Sequence, residues 1–298
     1  MTTSAPVPAL DRDMIARLRA DIIASSWTTD TLDELLSDGA LSALMRDSRL
    51  PALVELVGVD APAATLTRFF IGGQPERASA LDAALPTLGA AGLETLGLAA
   101  TIDEDEAASA LVMPRPCSKS APKRERAQAG EGEEASFPTA PALPTMRDPD
   151  EESEPEAVAD PWMRALYDLR PHAATLPGGE HEWWVTSDLG EGQTGKPLAD
   201  HHVMGIGGAT RTLLEMTVRD QVDSALDVGC GCGIQALYLA THARRVVATD
   251  LSPRACALTQ FNAALNETKI DVREGSLFEP VEGETFDLIV TNPPFVIT

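Results

Sequence analysis

The chain has 298 residues, of which 44% are hydrophobic, and it carries a formal net charge of −23 at pH 7. This length allows two domains, and the composition can support a substantial core. The negative charge excludes broad attraction to nucleic-acid phosphates, which needs clustered Lys and Arg, although it leaves room for a local basic groove. No apolar stretch approaches the roughly 20 residues that cross a bilayer, and the start lacks a signal-peptide pattern, so we expect a cytoplasmic protein.

Residues 1–112 predict a small helical domain. Apolar residues recur at three- and four-residue spacing, as at Met14, Ile15 and Leu18, while glycines and prolines keep each helix short. Residues 75–100, PERASALDAALPTLGAAGLETLGLAA, resemble the last helices of a winged-helix domain leading into its wing. The alternative is a helical bundle that serves only packing or partner contacts.

Residues 113–157 differ sharply in composition, since they are rich in Pro, Glu, Ser and Ala and nearly devoid of large apolar side chains. Such a segment cannot bury enough surface to offset its ordering entropy, so we expect a disordered linker or insertion. Its acidic run, DPDEESEPE, fits a solvated stretch, with an interaction tail as the alternative.

Residues 158–200 predict a β-hairpin that connects the two halves of the chain. Its strands are WMRALYDLR and HEWWVTSDLG, and the turn is Pro177-Gly178-Gly179. Trp183 and Trp184 fit packing in a core or between domains better than stacking on a base, because large aromatics in strands are usually buried.

Residues 225–250, ALDVGCGCGIQALYLATHARRVVATD, predict a βαβ unit in which a glycine-rich bend joins a short apolar strand to a helix. Glycines in such a bend let the backbone turn tightly and approach a ligand. A dinucleotide and S-adenosylmethionine both suit this pattern, because each is held by glycines after one strand and an acid after the next. A purely structural glycine turn is the third interpretation. The D-x-G-x-G-x-G spacing from Asp227 differs from the G-x-G-x-x-G spacing of dinucleotide sites, which favours S-adenosylmethionine.

The bend resembles motif I of the class I S-adenosylmethionine-dependent methyltransferases. The resemblance implies that Asp227 and the bend border the methionine end of the cofactor and that Asp250 accepts hydrogen bonds from the ribose hydroxyls. Ser276 stands where relatives often have an Asp near the adenine. The cofactor-binding residues expected from the resemblance are Asp227, Gly229, Cys230, Gly231, Gly233, Asp250, Leu251 and Ser276.

We expect no metal in this region. Cys230 and Cys232 have no second Cys or His pair at matching spacing, and His201-His202 is isolated. The cysteines are therefore expected to be thiols. Upstream, HHVMGIGGATRTLLEMTVR predicts an amphipathic helix, in which Thr210 either reaches the methionine end or caps the helix.

Residues 286–295, FDLIVTNPPF, place Asn292, Pro293, Pro294 and Phe295 at the carboxyl end of an apolar strand, where ligands of open α/β sheets bind. Two successive prolines hold an extended turn, so the Asn292 side chain and the Pro293 carbonyl can accept both N–H bonds of a planar NH₂ group. These bonds localise the nitrogen lone pair, while Phe295 stacks on the planar group. We assign these four residues as catalytic; alone, the motif would also fit a chance turn.

From about residue 201 onward the sequence resembles the small-domain methyltransferases, a group that includes release-factor glutamine, ribosomal RNA guanine N2 and adenine N6 methyltransferases. The resemblance implies an α/β fold, namely a Rossmann-like class I methyltransferase domain over residues 201–298. Such domains have seven strands, and only four are apparent here. We therefore expect the C-terminal part to be missing and residues 1–298 alone to be inactive.

Three functions remain open. The first is N-methylation of a base in RNA or DNA, and the second is methylation of a glutamine in a protein such as a release factor. The acidic composition favours the protein target, whereas a winged helix would favour nucleic acid. The third is a noncatalytic module that binds S-adenosylmethionine or a protein partner.

Overall fold

The computed structural model describes residues 5–111 and 159–292. The expected linker over residues 113–157 lies outside these ranges. The helices of the described part are α1 (Arg12–Ala24), α2 (Thr29–Leu35), α3 (Asp38–Leu44), α4 (Leu50–Glu55), α5 (Pro62–Leu66), α6 (Ala78–Ala84), α7 (Gly89–Thr95), α8 (Glu104–Ala110), α9 (Glu191–Thr194), α10 (Gly208–Met216), α11 (Ile234–Leu239) and α12 (Pro253–Leu265). The strands are β1 (Glu76–Arg77), β2 (Ala99–Ile102), β3 (Trp162–Ala165), β4 (Tyr167–Leu176), β5 (Gly179–Asp188), β6 (Val222–Val228), β7 (Ala243–Asp250), β8 (Asp271–Glu274) and β9 (Leu288–Thr291).

The first three helices begin where the sequence supplies a side-chain cap. Asp11 accepts hydrogen bonds from the backbone N–H groups of Asp13 and Met14, and Thr28 and Ser37 cap α2 and α3 in the same way. A single π-helical turn, Thr67–Ile71, extends α5. The predicted helical character of this part of the chain is confirmed.

Helices α5 to α7 and strands β1 to β3 have the order of a winged-helix domain. Strand β1 follows α5, α6 and α7 follow β1, and the antiparallel sheet has the order β1-β3-β2. The resemblance noted at residues 75–100 therefore extends to the sheet. The exposed side chains of α7 are Ala91, Glu94 and Thr95, none of which is basic.

The connecting hairpin is present, but its first strand begins later in the sequence than predicted. Residues 162–165 form β3 of the three-stranded antiparallel sheet, with Ala99 opposite Ala165 and Ile102 opposite Trp162. The hairpin proper is β4 and β5, which pair from Tyr167 opposite Asp188 to Leu176 opposite Gly179. The single strand predicted from WMRALYDLR is thus wrong, because its first half pairs with the distant strands β1 and β2, whereas its second half pairs with β5.

Strands β6 to β9 form a parallel sheet in the order β8-β7-β6-β9. The predicted βαβ unit is confirmed as β6, α11 and β7, and the predicted third and fourth strands are β8 and β9. Strand β6 lies in the middle, with β7 on one side and β9 on the other. The carboxyl ends of all four strands consequently meet at one edge.

The N-terminal helices and the α/β part share one hydrophobic core. Leu18 and Trp27 belong to the same buried cluster as Trp184 and Phe261. The Trp184 indole Nε1 donates to the Trp27 carbonyl at 2.7 Å. Both Trp183 and Trp184 are buried, so the prediction that they serve packing is confirmed.

Candidate active site

The bend between β6 and α11 has the tight backbone that its glycines predict. The N–H groups of Gly229 and Cys230 both donate to the Thr249 carbonyl of the neighbouring strand, at 2.8 and 3.0 Å. Gly231 has a φ of 55° and faces open space, so a ligand can approach its backbone. Gly233 has a φ of 81°, and a Cβ there would lie 2.8 Å from Thr259 Cγ2, so only glycine fits against α12.

Asp250 ends β7 next to this bend. Its carboxylate accepts hydrogen bonds from the Gly231 N–H at 3.0 Å and from the Ser252 N–H at 2.8 Å. Each oxygen of an ionised carboxylate has a further lone pair, so both retain acceptor capacity. A rigidly held acceptor beside a bare glycine backbone suits a ligand that carries hydroxyl groups.

Asp227 lies at the end of β6 beneath the bend and is 1% exposed. Its Oδ2 atom has no hydrogen-bond partner within the described residues. Burial, and secondarily the nearby negative charge of Asp250, raises the pKa of Asp227 to about 7. A buried carboxylate with an unused oxygen favours an approaching cation.

Helix α12 supports the bend from behind through residues that the sequence analysis did not identify. The Thr259 hydroxyl donates to the Gly231 carbonyl at 3.0 Å, and Asn262 Nδ2 donates to the Cys232 carbonyl at 2.8 Å. Both side chains are fully buried. The signal that could have revealed them is the spacing of Thr259, Asn262 and the C-cap Asn266, which places three polar residues on one face of α12.

Asn292 immediately follows β9, whose neighbour in the sheet is β6. Thr291 lies opposite Val228, so Asn292 comes next to Gly229 at the same edge of the sheet. Asn292 Nδ2 is 3.5 Å from the Thr210 hydroxyl, which leaves Asn292 Oδ1 as a free acceptor within the described part of the chain. Pro293, Pro294 and Phe295 lie outside the described residues.

The remaining predicted residues are more dispersed. Cys230 and Cys232 are buried free thiols whose pKa values burial raises, to about 11 for Cys232. Leu251 is largely exposed, and Ser276 lies in the turn after β8. Thr210 does not cap α10, because the cap position is Gly207.

Within the described ranges, no group of three or more His, Cys, Asp or Glu residues could hold a metal ion. The helices of these ranges also include none with the length and apolar character of a membrane span.

The sheet order, the glycine bend, the acid after the second strand and the amide after the fourth form the arrangement that the resemblance to class I S-adenosylmethionine-dependent methyltransferases implies. Residues 204–298 match the family described as the methyltransferase small domain, which confirms the resemblance noted from the sequence. Residues 24–110 match a family described as a domain of unknown function (DUF7059).

Three curated relatives illustrate the similarity. A release factor glutamine methyltransferase of Geobacter sulfurreducens is 43% identical over 94 residues, covering 30% of this chain and 33% of the relative. A release factor glutamine methyltransferase of Deinococcus radiodurans is 34% identical over 154 residues, covering 50% of this chain and 52% of the relative. A ribosomal RNA small subunit methyltransferase C of Alcanivorax borkumensis is 37% identical over 70 residues, covering 24% and 21%. The chain spans between about a fifth and a half of the length of these relatives.

Proposed function

We propose that the protein transfers a methyl group from S-adenosylmethionine to a planar amino nitrogen of a macromolecule, with a base in RNA or DNA as the leading target. One observation carries this proposal. The bend at residues 229–233 and the amide of Asn292 end neighbouring strands, β6 and β9, at the same edge of the sheet. A methyl donor over the bend and an amine held at Asn292 would therefore be adjacent.

The described residues fit the two ends of the cofactor. Asp250 offers acceptors for ribose hydroxyls, and the buried Asp227 carboxylate offers its unused oxygen to the methionine ammonium, which restores the ionised form. When bound, S-adenosylmethionine supplies a methyl group on a cationic sulfonium. Leu251 and Ser276 complete the proposed cofactor set, at the ribose and adenine ends.

Asn292 is proposed to hold the amine. Thr210 takes up its Nδ2 group, so the Oδ1 atom is presented as an acceptor for a substrate N–H. The Pro293 carbonyl and the Phe295 ring, which lie outside the described residues, are proposed as the second acceptor and the stacking surface. No strong general base is required, because the methylated nitrogen can lose its proton after transfer.

A protein glutamine is the second candidate target. It is favoured by the exposed face of α7, which carries Glu94 and no basic residue and therefore offers nothing to a phosphate backbone. The relatives include enzymes named for release-factor glutamine and for ribosomal RNA.

The alternative of another class is a noncatalytic module. The location proposed for the protein is the cytoplasm, which the free thiols at Cys230, Cys232 and Cys256 support.

The test is tritiated methyl transfer by the protein from S-adenosylmethionine into separated RNA, DNA and protein. We expect Asn292→Ala to keep cofactor binding and to lose transfer by roughly 100-fold, the order found for a lost transition-state hydrogen bond. We expect Asp250→Ala to weaken cofactor binding in calorimetry by roughly 10- to 100-fold, since hydrogen bonds to a charged acceptor are lost.

The matched control is Asp223→Ala, which removes an exposed carboxylate at the opposite edge of the same sheet. It should leave both measurements unchanged. Absence of cofactor binding by the unmodified protein would overturn the proposal, and binding without transfer to any fraction would support the noncatalytic module.

A further inference from the structure

Arg211 lies on the helix that borders the proposed amine site and has no ion-pair partner among the described residues. It follows Thr210, whose hydroxyl contacts Asn292, in the first turns of α10. The only hydrogen bond of its side chain within the described residues runs from Nη2 to the thioether sulfur of Met45, at 3.0 Å. No carboxylate of the described ranges forms an ion pair with it, although the protein carries a net charge of −23.

The neighbouring charges do not compensate Arg211. Partial burial and the positive charge of Arg170 lower its pKa, while Tyr238 and Glu215 act weakly in the opposite direction. Arg170 itself is neutralised, because its Nε donates to Asp168 Oδ1 at 2.6 Å and its Nη2 contacts the other carboxylate oxygen. Of these two arginines, only Arg211 has no ion-pair partner among the described residues.

A structural role explains this arrangement poorly. A thioether is a weak acceptor, and most of the five N–H groups of a guanidinium remain available after one such contact. Partial desolvation of a charge costs free energy unless an opposite charge approaches. The arrangement is therefore that of a cation whose counter-ion comes from outside the described residues.

We propose that Arg211 binds the phosphate of the nucleotide whose base is methylated. This inference rests on the proposed function, since it needs the base at Asn292. The planar fork of arginine matches two phosphate oxygens. In a nucleotide the ribose fixes the phosphate a short distance from the base, so a cation on the helix that contacts Asn292 can hold the phosphate while Asn292 holds the base. A carboxylate flanking a glutamine has no such fixed position. A single contact of this kind is compatible with an acidic protein because it orients the substrate rather than attracting the whole polyanion.

Ligand-observed NMR titrations of the full-length protein saturated with S-adenosylmethionine test this proposal. Guanosine, adenosine and cytidine are each compared with their 5′-monophosphates. We expect at least one monophosphate to bind roughly tenfold more tightly than its nucleoside, the magnitude of a charge-assisted hydrogen bond. Arg211→Gln should abolish this preference without changing the affinity for the nucleoside, and Arg211→Lys should restore part of it.

Arg244→Gln is the matched control, because Arg244 is exposed, pairs with Asp223 and lies at the other end of the sheet. It should leave the preference intact. The affinity of the unmodified protein for the monophosphate should also fall as the salt concentration rises. The slope of log affinity against log salt concentration should be that of about one phosphate contact. Equal binding of nucleoside and monophosphate, an unchanged preference in Arg211→Gln, or methyl transfer into protein alone would overturn the inference. Failure of cofactor binding, measured first, would instead count against the proposed function.

Discussion

Asp227 shows how one residue can tie stability to ligand chemistry. Its carboxyl group is buried under the glycine bend, and its pKa is raised from 3.8 to about 7. The folded chain consequently binds more protons than the unfolded chain between these values. Ionising this carboxyl group is costly while no cation lies next to it. In the proposed function, the ammonium group of the cofactor would supply that cation.

We therefore expect the free energy of unfolding to fall as the pH rises from about 4 to about 7, because this carboxyl is easier to ionise in the unfolded chain. Asp227→Asn should remove this part of the pH dependence. Urea unfolding of both proteins at several pH values measures it, with Asp223→Asn as an exposed control. Parallel curves for the unmodified protein and Asp227→Asn would contradict the expectation.

At the scale of elements, polar side chains at the C-terminal end of α12 hydrogen-bond to the backbone of β5. Asn262 accepts the Thr186 N–H and donates to the Thr186 carbonyl, each at 2.8 Å, so its amide pairs with the edge of β5. Asn266 does the same for Trp184, at 2.9 and 2.8 Å. Because Asn262 also donates to the Cys232 carbonyl, one face of α12 joins the hairpin to the glycine bend.

Asn262→Leu should destabilise the protein by roughly 2–4 kcal/mol, because it leaves buried backbone groups of Thr186 and Cys232 without hydrogen bonds. The shift in the urea midpoint measures this loss. Thr95→Ala, which removes an exposed hydroxyl bonded only to the Ala91 carbonyl, should cost less than about 0.5 kcal/mol. Equal effects of the two substitutions would show that the Asn262 amide is not needed for the junction.

At the scale of the whole molecule, the helical and α/β parts depend on one another. Arg19 of α1 donates to the Leu265 carbonyl at 3.1 Å, and Leu18 lies in the same core as Leu258 and Phe261 of α12. Because the core is shared, the helical part contributes to the packing behind the glycine bend. Loss of packing in α1 should therefore reach the parallel sheet.

Leu18→Ala should lower the free energy of unfolding by roughly 2–5 kcal/mol, as expected for a cavity in a packed core. Native-state hydrogen exchange should show faster opening in β6 as well as in α1, because both unfold with the same core. Ile23→Ala on the exposed side of α1 is the control. Exchange in β6 that does not respond to Leu18→Ala would indicate independent unfolding.

The sequence by itself determined the features that depend on neighbouring residues. The spacing of Asp227, the glycines and Asp250 predicted a βαβ unit, since each turn and strand end requires particular residue types within a few positions. The N-terminal helices were also predicted, because apolar periodicity is a local signal. The strand before Asn292 was found in the same way.

Only the tertiary structure decided which distant segments meet. It divided the predicted first hairpin strand between two sheets, placed Thr259 and Asn262 behind the bend, and put β9 directly beside β6. It also left Arg211 without an acidic partner within the described ranges, next to the Thr210 and Asn292 contact. These outcomes depend on hydrogen bonds and packing between residues far apart in the chain, and no local pattern encodes them.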